Sequence, residues 1–196
     1  MSVKMHFATF LKLLTQSTGD KIRDLERYAT PGGFDFYQPS RKGLNRYCGQ
    51  GITRDQVLQE IENSSARNSK ARNKEIFEKA SHWIEKQSGE GAKTRKGIWQ
   101  SPNRIFSVHI EPEISIRTKN ALLVVAVYPR KDVRIRRDQA GAGQILLSRG
   151  YQSSGNEKFG ILDVFGQRAF WTPNNVAEGT LDSEIAQIER LLKKIM

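Results

Sequence analysis

The sequence predicts a mixed α/β protein of the α+β kind: a helical N-terminal lobe, a mixed sheet of about five strands with a crossover helix, and a C-terminal helix. Two observations carry this expectation. Upstream of residue 105 the apolar residues recur at helical spacing. Between 105 and 171 they come instead in short strand-like runs, IFSVHI, EISIRT, NALLVVAVY, FGILDVF and QRAFW, with one helical stretch after the third. The chain of 196 residues is long enough for one substantial core. Its organisation reads as a helical lobe over 1–87, a basic flexible linker over 88–98 and a mixed α/β domain over 99–196, packed as one unit.

The first helix is expected over 6–15, where Phe7, Phe10, Leu11 and Leu14 form one stripe. A second follows Thr18, with Ile22, Leu25 and Tyr28 on one side, and ends at Thr30-Pro31-Gly32-Gly33. Phe34, Phe36, Tyr37, Leu44 and Tyr47 then interleave with Arg41, Lys42 and Arg46. That pattern fits a short helix with its aromatics inward and its cations in solvent, or a surface that stacks on bases. Thr53 reads as the N-cap of the next helix, which carries Val57, Leu58 and Ile61. A loop over 63–73 leads to an amphipathic helix ending near Gln87, built on Ile76, Phe77, Ala80, Trp83 and Ile84.

In the strand region Ile114 and Ile116 alternate with polar residues, as in a half-buried strand, and Thr118-Lys119-Asn120 reads as a hairpin turn. The run 122–127 is apolar without alternation, which suits a central strand covered on both faces. A helix is expected over 134–148, with Gly141 and Gly143 permitting close packing. Phe165-Gly166-Gln167 reads as a turn between two further strands. A terminal helix from about Thr180 presents Ile185, Ile188, Leu191, Leu192 and Ile195, with Lys193 and Lys194 suited to its dipole. It is expected to dock on the domain; a homodimer through this helix is the alternative.

Composition narrows the function classes. The formal charge is +11 and the sequence pI about 9.9, a balance that favours polyanionic partners. Cys48 is the single cysteine, so no disulfide framework and no thiolate zinc set is available. His6, His82 and His109 have no i, i+4 spacing. The longest apolar run, 121–128, is too short to span a bilayer, which needs about 20 residues. The N-terminus lacks a cleavage pattern, so cytoplasmic is the expected location and no membrane partner is expected. The phosphate-binding loop, the dinucleotide fingerprint and the nucleophile elbow are all absent.

The strongest local signal is charge. Arg117, Lys119, Arg130, Lys131, Arg134, Arg136 and Arg137 stand against Asp132 alone, a net of +6 within 21 residues. Gathered at one border, they would follow a phosphate backbone without reading sequence. With Arg41, Lys42 and Arg46 they are the candidate residues for binding DNA or RNA; an acidic partner protein is the alternative.

The stretch EISIRTKNALLVVAVYPRK, the basic helical segment after it and FGILDVF resemble the core of PD-(D/E)XK nucleases, over residues 105–170. The resemblance is to the small endonuclease branch related to Holliday-junction resolvases. It implies a fold in which a second-strand acid and a third-strand acid-x-lysine group hold divalent metal. With Glu113 aligned to the early family glutamate, those positions fall on Ser115, Ala126 and Tyr128, which cannot hold magnesium. The resemblance therefore implies a degenerate core with no cofactor, kept for non-catalytic nucleic-acid binding or scaffolding. The enzymatic alternative is a magnesium-dependent nuclease whose relocated carboxylates are Glu111, Glu113 and Asp163, with Lys131 stabilising charge, or with Glu75 or Glu78 contributed from the helices.

Overall fold

The computed structural model describes residues 2–29, 36–151, 153 and 155–196. In chain order the elements are β1 (Val3–His6), α1 (Phe7–Leu14), α2 (Thr18–Ala29), α3 (Gln38–Gln50), α4 (Arg54–Ser64) and α5 (Lys70–Glu85). There follow β2 (Glu90–Gly91), β3 (Gly97–Gln100), β4 (Phe106–Ile110), β5 (Ile114–Arg117) and β6 (Leu122–Tyr128). The chain closes with α6 (Arg137–Gly150), β7 (Glu157–Asp163), β8 (Arg168–Phe170) and α7 (Ala177–Ile195).

These elements form an α+β fold with two mixed sheets. The larger has the order β2-β5-β6-β7-β8, in which only β6 and β7 run parallel, joined by α6. The smaller has the order β1-β4-β3, with β1 parallel to β4. The alternation along β6 explains why the larger sheet is covered on both faces. Val124, Ala126 and Tyr128 enter a core built with α1, α6 and α7. Val125 and Val127 enter a second core built with α3, α4 and α5. An unalternating apolar strand is what such double coverage requires.

The Thr53 cap and the turns at Thr118 and Phe165 form as expected. The hydroxyl of Thr53 accepts from the backbone N–H of Gln56, whose side chain reaches back to the Thr53 N–H, closing a capping box. The Thr118 N–H donates to the carbonyl of Ala121 at 3.0 Å across the β5–β6 hairpin. Along α7, Leu181, Ile185, Ile188, Leu191 and Leu192 are buried within the chain's own core. That apolar face is therefore used in docking on the chain's own core, as expected.

Long-range packing corrects the expected organisation. The helices of residues 1–87 are not one lobe: α1 and α2 lie on one side of the larger sheet and α3 to α5 on the other. The strand β1, absent from the expected elements, interrupts the lobe further. IFSVHI does not extend the β5–β6 hairpin, because β4 pairs with β1 and β3. The segment 88–98 is not merely a linker: β2 and the first residues of β3 lie in it, and β2 pairs with β5. At Gly97 a Cβ would stand 1.8 Å from the Gly150 carbonyl oxygen, so that strand seats flush against the end of α6. Both helices bordering the expected loop 63–73 run into it, and α6 begins three residues later than expected. Thr30, Pro31, Gly32, Gly33 and Phe34 lie outside the described residues.

Candidate nucleic-acid interface

The expected row of cations is divided between two ends of the larger sheet. Arg117 pairs in register with Leu122, at the start of β6, and Lys119 sits in the hairpin turn beyond it. Arg130, Lys131, Arg134, Arg136 and Arg137 follow Tyr128, at the opposite end. Six residue steps of extended strand separate Leu122 from Tyr128, about 20 Å. The cations therefore do not form one continuous border: the strand connecting the two groups is itself the spacer that keeps them apart.

The larger group lies at the carboxyl end of the parallel pair β6 and β7, where open α/β sheets form ligand crevices. Several of its cations are ion-paired. Arg130 meets Asp132 at 2.6 Å, Lys131 meets Glu75 at 3.3 Å, Arg134 meets Asp163 at 3.5 Å and Arg136 meets Asp138 at 3.0 Å. Hydrogen bonding to Arg130 holds the Asp132 carboxyl below its usual range, and Arg136 does the same to Asp138. The cationic heads of Lys131, Arg134 and Arg136 nonetheless stay in solvent, with side chains 56%, 59% and 69% exposed. Where both partners reach solvent, as in Lys131–Glu75 and Arg136–Asp138, such pairs contribute at most about 1 kcal/mol, so a phosphate can replace the carboxylate there; Asp163 is buried and keeps Arg134 more firmly. Arg137 is exposed and makes no ion pair among the described residues.

The structure adds cations that the sequence reading missed. The ring of Phe165, just beyond β7, has the Arg72 guanidinium 5.1 Å from its centroid, the Lys131 ammonium at 5.7 Å and the Lys79 ammonium at 5.9 Å. Arg72 and Lys79 come from α5, some ninety residues upstream, and only the fold brings them here. Seven cations at this end (Arg72, Lys79, Arg130, Lys131, Arg134, Arg136 and Arg137) face four carboxylates, those of Glu75, Asp132, Asp138 and Asp163. Cations and an aromatic ring thus meet at this end of the sheet.

The α3 candidates divide differently. Arg41 is buried and turned inward, its Nε donating to Glu113 at 2.6 Å, so it belongs to the core and not to a surface. Arg46 is held by Glu60. Lys42 is exposed on the outer face of the helix. Tyr47 packs edge-on against Phe77, with ring centroids 5.7 Å apart.

The relocated catalytic set does not assemble. Glu111 pairs with Lys96 at 2.7 Å. Glu113, 3% exposed, receives Arg41 on one oxygen and the Val127 N–H at 2.8 Å on the other. Asp163, equally buried, accepts the Gly166 N–H at 2.8 Å and fixes the β7–β8 turn. Glu75 is engaged by Lys131 and Arg72. Among the described residues no three His, Cys, Asp or Glu side chains converge, and this donor set does not fit a magnesium ion. Ala126 and Tyr128 are core residues; the Tyr128 hydroxyl donates to the Val133 carbonyl at 2.9 Å. Sequence spacing also separated two histidines that the fold joins: His6 and His109 are register partners, with ring centroids 6.4 Å apart.

A cavity of about 320 Å³ opens at the same end of the sheet, between α1, α2 and the segment after β6. Lys12, Arg23, Arg27 and Arg130 line it together with Asp20 and Asp24. Comparison with family models, curated proteins and solved structures returned no match for this chain.

Proposed function

We propose that this protein binds nucleic acid without cleaving it, through the carboxyl end of the β6–β7 pair. The observation that carries the reading is the collar of cations around Phe165 and the β6–α6 connection. Lys131, Arg134, Arg136 and Arg137 present exposed charge along one short segment, and the half-buried Arg72 and Lys79 of α5 adjoin it. Phosphate contacts of this type supply affinity and orientation. Arg117, Lys119, Arg41 and Arg46 are not part of this surface.

No cleavage is expected, because the carboxylates it would need are committed elsewhere. Glu113 neutralises Arg41, Asp163 builds a turn and Glu111 faces Lys96. An active nuclease would have to break a buried ion pair to free Glu113, at a cost of about 3–5 kcal/mol.

The test is equilibrium binding of labelled DNA and RNA across a range of salt concentrations, with magnesium or manganese present to reveal cleavage. The expected result is intact strands and an affinity that falls steeply with salt, by about 0.7–0.9 log units per log unit for each phosphate neutralised. Salt-independent binding, no binding, or metal-dependent cleavage would each overturn the proposal.

A further inference from the structure

The geometry points to a second element of that interface: the cavity between α1, α2 and the β6–α6 segment receives the 5′-phosphorylated terminal nucleotide of a bound strand. This rests on the proposed nucleic-acid binding and deepens it. Arg130 stands at both places, following β6 in the collar and lining the cavity. A strand lying along the collar would therefore reach the cavity at its end.

The volume, about 320 Å³, lies at the small end of the range for small-molecule sites, roughly 300–1,000 Å³. The lining is polar throughout except for Val133, so an apolar ligand would leave charged groups unsatisfied. Both signs of charge are present in fixed places. Asp24 is held by Lys12 at 2.6 Å and by the Gln16 amide at 2.6 Å. Asp20 is held by Arg23 and by the Ser17 hydroxyl at 2.8 Å. Arg27 makes no ion pair among the described residues, and Arg130 carries a guanidinium tethered to Asp132. The first turn of α2, twelve residues long, adds its positive dipole end.

A simple anion would meet the cations but also the two aspartates. A nucleotide satisfies both: its phosphate on Arg27 and Arg130, its sugar hydroxyls or base amino groups on Asp20 and Asp24. A terminal phosphomonoester carries about −1.5 to −2 charge, more than the single charge of an internal diester. A site with an unpaired guanidinium selects for the end of a strand on that ground.

The experiment compares short DNA and RNA strands of one sequence, labelled at the 3′ end, with either a 5′-phosphate or a 5′-hydroxyl. Fluorescence anisotropy is measured for the wild-type protein and for Arg27→Gln, an exposed position outside the collar. The expected preference for the phosphorylated strand is about tenfold, the effect of one or two charge-assisted hydrogen bonds. In Arg27→Gln that preference is expected to vanish, with an unchanged thermal unfolding profile. Equal binding of both strands by the wild type, or a preference that survives in Arg27→Gln, overturns the inference and leaves the collar standing. Binding of neither strand overturns the collar itself.

Discussion

The Arg41 guanidinium donates to Oε1 of Glu113 at 2.6 Å deep between α3 and the β5–β6 hairpin, while Oε2 of the same carboxylate accepts the Val127 N–H. The pair ties a helix to the central strand at a point where the β5–β6 ladder has already ended. It also disposes of the residue that a catalytic reading would need most.

Removing one member should therefore damage the fold. Glu113→Ala removes both the carboxylate that Arg41 donates to and the acceptor of the buried Val127 N–H, and is expected to lower stability by about 3–5 kcal/mol in urea denaturation. Replacing both residues by apolar ones of similar size, Arg41→Met with Glu113→Leu, should recover much of that loss. A single variant within 1 kcal/mol of wild type would contradict this role.

Asp24 gives a pH dependence with a definite sign. Burial alone would raise its pKa, but hydrogen bonds from Lys12 and Gln16 outweigh that, and the carboxyl is held below its ordinary value. Its contribution is thus present above the unfolded carboxylate pKa, about 3.9, and lost as pH falls through the lower folded value. Asp24→Asn is expected to flatten the acid limb of the stability profile, read from unfolding midpoints between pH 5 and 2. An unchanged acid limb would contradict the assignment.

Burial pushes the Cys48 thiol up to about 11. At pH 8 the native protein should react with a thiol reagent far more slowly than the urea-unfolded chain, because the thiolate is the nucleophile. The same shift means that stability is intact below the unfolded thiol pKa and declines as pH rises from about 9 toward 11. Comparable reactivity in the two states would show the site to be open.

Gly141 faces the start of α7. A Cβ there would stand 2.6 Å from the Ala177 Cβ and 3.2 Å from the Pro173 Cα. Helix propensity favours Gly141→Ala by about 1 kcal/mol, but the clash should reverse the sign and destabilise by roughly 1–3 kcal/mol. A rise in melting temperature would mean that α7 yields at this contact.

Most single elements were legible in the sequence because their signals are local. The capping box at Thr53, the unalternating β6 and the stripe of α7 each depend on residues a few positions apart. Sheet membership was not legible. β4 leaves the hairpin for β1, a partner about a hundred residues upstream, and a four-residue strand of Val3, Lys4, Met5 and His6 carries too little periodicity to announce itself. The basic cluster was visible as a count but not as a shape: a strand of seven residues separates Arg117 from Arg130. Phe165 with Arg72 and Lys79 could not be read at all, since only the packing of α5 beside the β7–β8 turn brings them together.

The most direct test removes two charges from one end of the sheet or two from the other. Arg136→Gln with Arg137→Gln and Arg117→Gln with Lys119→Gln change the net charge equally, and all four side chains are exposed. For a labelled strand titrated across salt, the first pair should lose affinity several-fold, with a slope shallower by about 1–2. The hairpin pair should bind as wild type does. Equal losses in both variants would mean only diffuse attraction to a basic protein, and would contradict a binding surface at the carboxyl end of β6 and β7.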